Sequence, residues 1–304
     1  MKRIFVVSVL IGITLIAVNC KKTEVNKQVH SKKEQATVLV DQTLQPIVED
    51  LVMIFEDRYP VKINLEVRPD AQVISSLAND YKKMAILPRD LTSDEIKFFD
   101  AKKMHPKMTP FAKDAIALIT QKSSQDTLIS MQQIVALMQG KAVGHFKGLV
   151  FDNPNSSTAR QLCALAGLTK MPEKGVFSFN TPNEVFNYVA HNTGMVGVVG
   201  INFIFEPSNE IQDNLNQINV LRVKGSKNTE YYYPSQDNIA SGKYPLARDL
   251  FIANCQGNTS FGIRFSNFIT SDVGQRIILK SGLVPAIFPT RKIQIRKTIT
   301  NPSK

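Results

Sequence analysis

The groups from which this chain could build chemistry sit in a few short stretches. Cys20 follows an apolar run, Ile4–Val18, that is itself preceded by Met1-Lys2-Arg3. A basic start, a short apolar stretch and a cysteine form a lipoprotein signal. The run is shorter than the roughly 20 apolar residues a spanning helix needs and fits a cleavable leader. Cleavage before Cys20 would leave its thiol at a new N-terminus, ready for acylation, so that lipid rather than a membrane helix would hold the protein outside the cytosol. Asn19 is larger than the residue usual before such a cysteine, and an ordinary signal peptide with Cys20 incidental is the alternative.

The other candidates are hydroxyls placed just ahead of helical patterns, Thr43 and Ser156-Ser157-Thr158. A helix start offers free backbone N–H groups and the positive end of the helix dipole, which together favour an anion. Each start contributes about 0.3–1 kcal/mol when exposed and up to about 2 when partly buried. Hydroxyls at two such starts could converge on one oxyanion; taken singly, each is an ordinary N-cap.

Signals for covalent or metal chemistry are missing. The four histidines, His30, His105, His145 and His191, lie far apart and outside any H-E-x-x-H pattern. Cys163 and Cys255 have no C-x-x-C spacing; two free thiols are expected, with a disulfide between them as the alternative. There is no G-x-S-x-G, no P-loop and no dinucleotide fingerprint. No cofactor and no catalytic group are expected. The formal charge of +11 is spread over scattered lysines without a long basic block, so nucleic acid is not expected as a partner.

The elements that must position these residues alternate between strand and helix. Residues 21–35 are polar and read as a tether that cannot fold alone. Thr37–Asp41 and Val61–Val67 read as strands. Between them Leu44, Ile47, Val48, Leu51 and Phe55 recur at helical spacing, with Pro46 in the first turn and Thr43 as the cap. Helices are expected over residues 71–81, with Asp70 as cap, and from the Thr92-Ser93-Asp94-Glu95 capping box. Further on, strands are expected at 84–87, 114–120, 148–151, 195–199, 218–223 and 250–253. Helices are expected at 131–138, 158–168, 185–190, 262–270 and 273–280. This alternation argues for α/β layers with mostly parallel sheet. Gly194, Gly197 and Gly200 read as sites of close backbone packing.

Several of these segments, in order, resemble the substrate-binding proteins of phosphate-specific ABC importers. Asp41-Gln42-Thr43-Leu44-Gln45-Pro46 is similar to that family's first ligand turn, and Arg89-Asp90-Leu91-Thr92-Ser93-Asp94-Glu95 to its second. Ala112–Leu118 resembles its first crossover between lobes, and Tyr244-Pro245-Leu246-Ala247-Arg248 its return. Phe151–Thr158 stands where the family has a Ser-Gly-Thr loop, and Gly274-Gln275 with Ser281–Pro285 resembles its closing helix and turn. The family's loop usually begins with an arginine and carries a glycine before the threonine; here Asp152 and Ser157 occupy those places.

The resemblance implies a two-lobed periplasmic-binding-protein-like α/β fold, with mixed sheets flanked by helices and a ligand cleft between lobes. It implies a leader at 1–19, a lipidated tether at 20–35, a first lobe from 36–115 with 243–297, a second from 116–242, and a tail at 298–304. It implies capture of phosphate or a similar oxyanion by a monomer for an ABC permease in the inner membrane. The implied ligand residues are Thr43, Leu44, Arg89, Asp152, Ser156, Ser157 and Thr158. Two readings of Asp152 stand side by side. In one, Arg89 donates to the anion while Asp152 pairs with Arg89 or accepts a ligand proton; in the other, Asp152 caps a turn before Pro154. Asp70 is expected to cap a helix, and Asp114 and Arg248 to serve the crossovers. Another oxyanion or organic anion, a surface lipoprotein recruiting a protein or polymer, and a phosphoryl-processing enzyme are the competing functions.

Overall fold

The computed structural model describes residues 33–257 and 260–290. The leader, Cys20, nearly all of the tether, residues 291–297 of the expected first lobe and the tail at 298–304 lie outside the described residues.

The first half of the fold opens with β1 (Glu34–Asp41), a 3-10 turn at Gln42–Leu44, α1 (Gln45–Arg58), β2 (Val61–Arg68), α2 (Asp70–Asn79), β3 (Met84–Leu87) and α3 (Ser93–Ala101). The long β4 (Lys107–Gln121) leads into the second half. That half holds β5 (Leu128–Ser130), α4 (Met131–Met138), β6 (Gly148–Phe151), α5 (Ser157–Leu165), β7 (Val176–Ser178), α6 (Pro182–His191) and β8 (Met195–Gly200). It continues with α7 (Asn202–Phe205), α8 (Asn209–Leu215), β9 (Ile218–Val220), β10 (Arg222–Lys224) and α9 (Gln236–Ala240). The chain then returns through β11 (Ala247–Asn254), α10 (Phe261–Thr270), α11 (Asp272–Lys280) and β12 (Val284–Pro285).

Ten strands form one curled sheet in the order β2-β1-β3-β11-β4-β8-β6-β7, with β9 and β12 also pairing on β4, and β5 and β10 pair in a separate two-stranded sheet. Its two wings are parallel, as strand–helix alternation demands: β1 beside β2 and β3, and β6 beside β7 and β8. The centre is antiparallel, which makes the sheet mixed rather than mostly parallel. β11 runs antiparallel to both β3 and β4, and β4 antiparallel to β8. β4 changes partners at its middle: Ala115 and the residues before it face β11, and Ile116 onward faces β8. A long strand that serves two wings in succession is the physical basis of the two lobes.

The first wing is covered on both faces, so its strands are apolar on both sides. In β1, Val38 and Val40 join the large core, while Leu39 joins a smaller one with Val73, Leu77 and Phe99 beneath α2 and α3. The period-two alternation of a strand sets this division. On α1, Ile47, Val48, Leu51 and Phe55 are buried, and the Phe55 ring meets Phe261, Phe265 and Phe268 of α10 edge-on. Across the partner change, Tyr244 is buried and its hydroxyl donates to the Ile116 carbonyl at 2.8 Å.

Among the described residues, Cys163 and Cys255 are free thiols, no helix is long and apolar enough to cross a membrane, and no group of three His, Cys, Asp or Glu side chains is placed to hold a metal ion.

Candidate functional site

The carboxyl ends of β1, β3, β6 and β8 all point toward the middle of the molecule, where β4 changes partners. In open α/β sheets this is where ligands bind, because loops from several strands converge there. Asp41 ends β1, Arg89 follows β3, Asp152 follows β6 and Gly200 ends β8.

At the centre lies a closed set of polar groups. Asp41 caps the 3-10 turn: its Oδ1 accepts from the Thr43 backbone N–H at 3.0 Å and from the Thr43 hydroxyl. The same oxygen accepts from the Ser157 hydroxyl, at 3.0 Å, across the gap between the wings. Thr43 Oγ1 and Ser157 Oγ stand 3.3 Å apart. Opposite Asp41, the Arg248 guanidinium donates through Nη1 to Ser157 Oγ at 3.1 Å and through Nη2 to Thr43 Oγ1 at 3.2 Å. Behind it, Asp114 accepts from Arg248 Nε at 2.8 Å and Nη2 at 2.5 Å. Two hydroxyls thus bridge a buried carboxylate and a buried guanidinium, each accepting from one and donating to the other.

Local sequence explains the placement. Arg248 and Asp114 are direct cross-strand partners in the β11–β4 ladder, so their pairing is built into the register. The Thr43 turn is held from the far wing by Asn202 Nδ2, which donates to the Thr43 carbonyl at 3.0 Å. Gly200 permits this approach: a Cβ there would stand 3.2 Å from the same carbonyl oxygen.

A second layer flanks this set. Asp70, 1 % exposed, accepts from Arg89 Nε at 3.0 Å and pairs with Arg160 of α5 in the other wing. Arg89 also donates to the Asp90 carbonyl at 2.8 Å and to the two oxygens of Glu95, each at 2.7 Å. Asp152 Oδ2 accepts from Gln42 Nε2 at 2.9 Å.

Several expectations are corrected here. Thr43 does not cap α1; it lies inside the 3-10 turn that Asp41 caps, and its N–H is already used. Arg89 and Asp152 do not pair, because each is taken by nearer partners, Asp70 and Glu95 for one and Gln42 for the other. Asp70 is the first residue of α2 rather than its cap, and it serves two arginines. Ser156 is an ordinary N-cap, accepting from Ala159 N–H at 3.2 Å, and Thr158 is tied to it at 2.9 Å. Leu44 buries its side chain completely, so only its backbone could face a ligand. Of the expected ligand residues, Thr43 and Ser157 meet at the centre, while Asp152 and Arg89 stand around it.

Sequence reasoning left out Asp41 and Arg248 as site residues. For Arg248 a signal was present: a basic residue in one crossover and an acidic one, Asp114, heading the apolar run of the other are costly to bury unless paired.

Electrostatics sharpen the picture. Burial pushes the Asp41 carboxyl upward, against the pull of Thr43, Arg248 and Ser157. Burial pushes Asp152 up to about 6 against its Gln42 and Ser156 hydrogen bonds, and the Asp41 charge adds to the rise. Burial works against the Arg248 charge, but the attraction of Asp114, followed by Asp41 and Asp152, holds it firmly protonated. Three buried carboxylate oxygens, Asp41 Oδ2, Asp70 Oδ1 and Asp152 Oδ1, have no hydrogen-bond partner among the described residues. Orphaned buried acceptors are rare and point to a missing donor. Both hydroxyl protons are spent on Asp41 in this arrangement, so an anion could take them only in place of that carboxylate, beside the Arg248 guanidinium.

Residues 26–273 match the PBP superfamily domain, and the chain belongs to that superfamily. Among curated proteins, it is similar to the phosphate-binding protein PstS of Borreliella burgdorferi, 26 % identical over 304 residues, covering 93 % of this chain and 99 % of that protein. Among solved structures, it is similar to a substrate-binding protein assigned to a phosphate ABC transporter of Clostridium perfringens, with bound phosphate (TM-score 0.67, 17 % identity, 84 % of this chain and 100 % of that one). It is also similar to an ABC-type phosphate transport receptor from Vibrio cholerae (TM-score 0.62, 20 % identity, 82 % of this chain and 99 % of that one).

Proposed function

We propose that this protein captures phosphate between its two lobes and delivers it to an ABC importer. The observation that carries the reading is the central set itself. A guanidinium and two hydroxyls, from Arg248, Thr43 and Ser157, meet there from both wings, and an entering ion would take the hydroxyl protons from Asp41 Oδ1, while the second oxygens of Asp41, Asp70 and Asp152 lack a donor. A phosphate that keeps one or two of its protons meets both demands; sulfate, which is fully ionised at neutral pH, offers those carboxylates nothing. The likeness to phosphate-binding relatives supports the same choice.

In this reading Arg248 takes the part of the family's loop arginine, whose place Asp152 fills. The cation reaches the ligand from the crossover strand instead of from the loop. Hydroxyls from opposite wings let the ion draw the lobes together, and Arg160–Asp70 adds an ion pair between the wings. The described part of the first lobe, residues 36–115 with 243–290, would move against 116–242 about β4 and the Tyr244–Arg248 return. Cys20 would carry the lipid that keeps this trap, as a monomer, beside an inner-membrane permease. No bond is made or broken, so no catalytic group or cofactor is needed.

A thermal-shift panel of phosphate, sulfate and molybdate on the chain tests the reading. Phosphate at about 100 times its Kd should add about 2.7 kcal/mol of stability. No shift with phosphate, or an equal shift with sulfate, overturns it.

A further inference from the structure

The central set opens on one side into a cleft of about 540 Å³ that is larger than a bare tetrahedral ion requires. Pockets of roughly 300–1,000 Å³ are the range that organic ligands fill. Ser157 and Arg248, which belong to the set, also line this cleft. Farther out, Pro88, Ala247, Phe251 and Ala164 present carbon surface. Thr92 and Gln161 add uncharged polar groups, and Arg89 and Arg160 bring positive charge that Asp90 and Asp249 of the same lining partly offset. Inorganic phosphate gains nothing from apolar walls. A ligand whose anionic end occupied the set and whose carbon portion ran outward would gain from both.

Resting on the phosphate reading of the same site, we propose that the cleft admits phosphate monoesters of small alcohols. The phosphoryl group would sit against Arg248, Thr43 and Ser157. The alcohol carbons would lie along Pro88, Ala247 and Phe251, with Thr92 and Gln161 in reach of its hydroxyls. A monoester has one carbon arm for the one cleft, whereas a phosphodiester would have to press its second arm against the hydrogen-bonded set of Arg248, Thr43 and Ser157, so the predicted ligand class is monoester and not diester. Ala164 is exposed, lines the cleft and takes no part in holding the phosphoryl group, so it allows the cleft to be narrowed alone.

The test is calorimetric titration of the full chain with inorganic phosphate, glycerol 3-phosphate and dimethyl phosphate, repeated with Ala164→Phe. The monoester should bind within about tenfold of phosphate, a difference no greater than 1.4 kcal/mol, and dimethyl phosphate should not bind. Ala164→Phe should weaken the monoester at least about tenfold and leave phosphate within about twofold. Phosphate binding without monoester binding overturns the inference and leaves the phosphate reading standing. So does an equal effect of Ala164→Phe on both ligands. Failure of both ligands to bind overturns both.

Discussion

The substitution Asp152→Asn isolates the cost of the buried carboxylate in the loop after β6. Asp152 is 2 % exposed, and burial is the largest reason that its pKa rises from 3.8 to about 6. A folded-state pKa above the unfolded one means that the folded protein binds the extra proton between those values, so stability falls as pH rises through that window. At 1.36 kcal/mol per unit, the rise amounts to about 3 kcal/mol of destabilisation once pH is well above 6. An amide cannot ionise, yet its oxygen still accepts from Gln42. Asp152→Asn should therefore be more stable than the parent at pH 7.5 by about 2–3 kcal/mol, and the gain should shrink below about 1 kcal/mol near pH 4. With a urea slope of roughly 2–3 kcal/mol/M, the midpoint should rise by about 1 M at pH 7.5. The assay is urea denaturation of both proteins at the two pH values in phosphate-free buffer. A variant less stable than the parent at pH 7.5, or a difference that does not change with pH, refutes the reasoning.

Three further outcomes follow from the same geometry. Asp114→Ala strands the Arg248 guanidinium in a buried site and should cost about 3–5 kcal/mol in denaturation; a loss below about 1 kcal/mol contradicts the pairing. Gly282→Ala meets both a φ of +84° and the Phe205 ring, 2.3 Å from the new Cβ, and should cost at least about 1 kcal/mol. Combining it with Phe205→Ala should recover only the steric part, which a double-mutant cycle measures. Arg160→Ala removes the ion pair to Asp70 between the wings; because Arg160 is 39 % exposed and screened, the closed form should lose about 1 kcal/mol. Small-angle scattering of the ligand-free variant should then give a larger radius than the parent, and an unchanged radius argues against a closing role.

Much of the fold was legible because its signals are local. The alternation in Thr37–Asp41, the helical spacing from Leu44 to Phe55 and the capping box at Thr92 each name an element by the contacts it makes with itself. The antiparallel centre was not legible in this way. β11 inserts between β3 and β4 after more than a hundred intervening residues, and nothing local in Ala247–Asn254 announces its neighbours. The site divides along the same line. Thr43 and Ser157 were found because hydroxyls before helices have a local signature. Asp41 and Arg248 were passed over as site residues because their significance lies in long-range register, Arg248 opposite Asp114 and Asp41 opposite Ser157. Reading Asp70 as a cap failed for a related reason: a first-turn aspartate suits a helix dipole and an arginine equally, and only the approach of Arg89 and Arg160 decides between them.

The most direct test of the central claim is calorimetric titration of phosphate and sulfate into the parent and into Arg248→Gln, at pH 7 and low salt. Phosphate should bind the parent one-to-one at micromolar strength or better, at least about 8 kcal/mol. Sulfate should not bind measurably, and the variant should lose at least about a hundredfold in phosphate affinity. Phosphate binding that survives Arg248→Gln unchanged, or sulfate binding equal to phosphate, contradicts that claim.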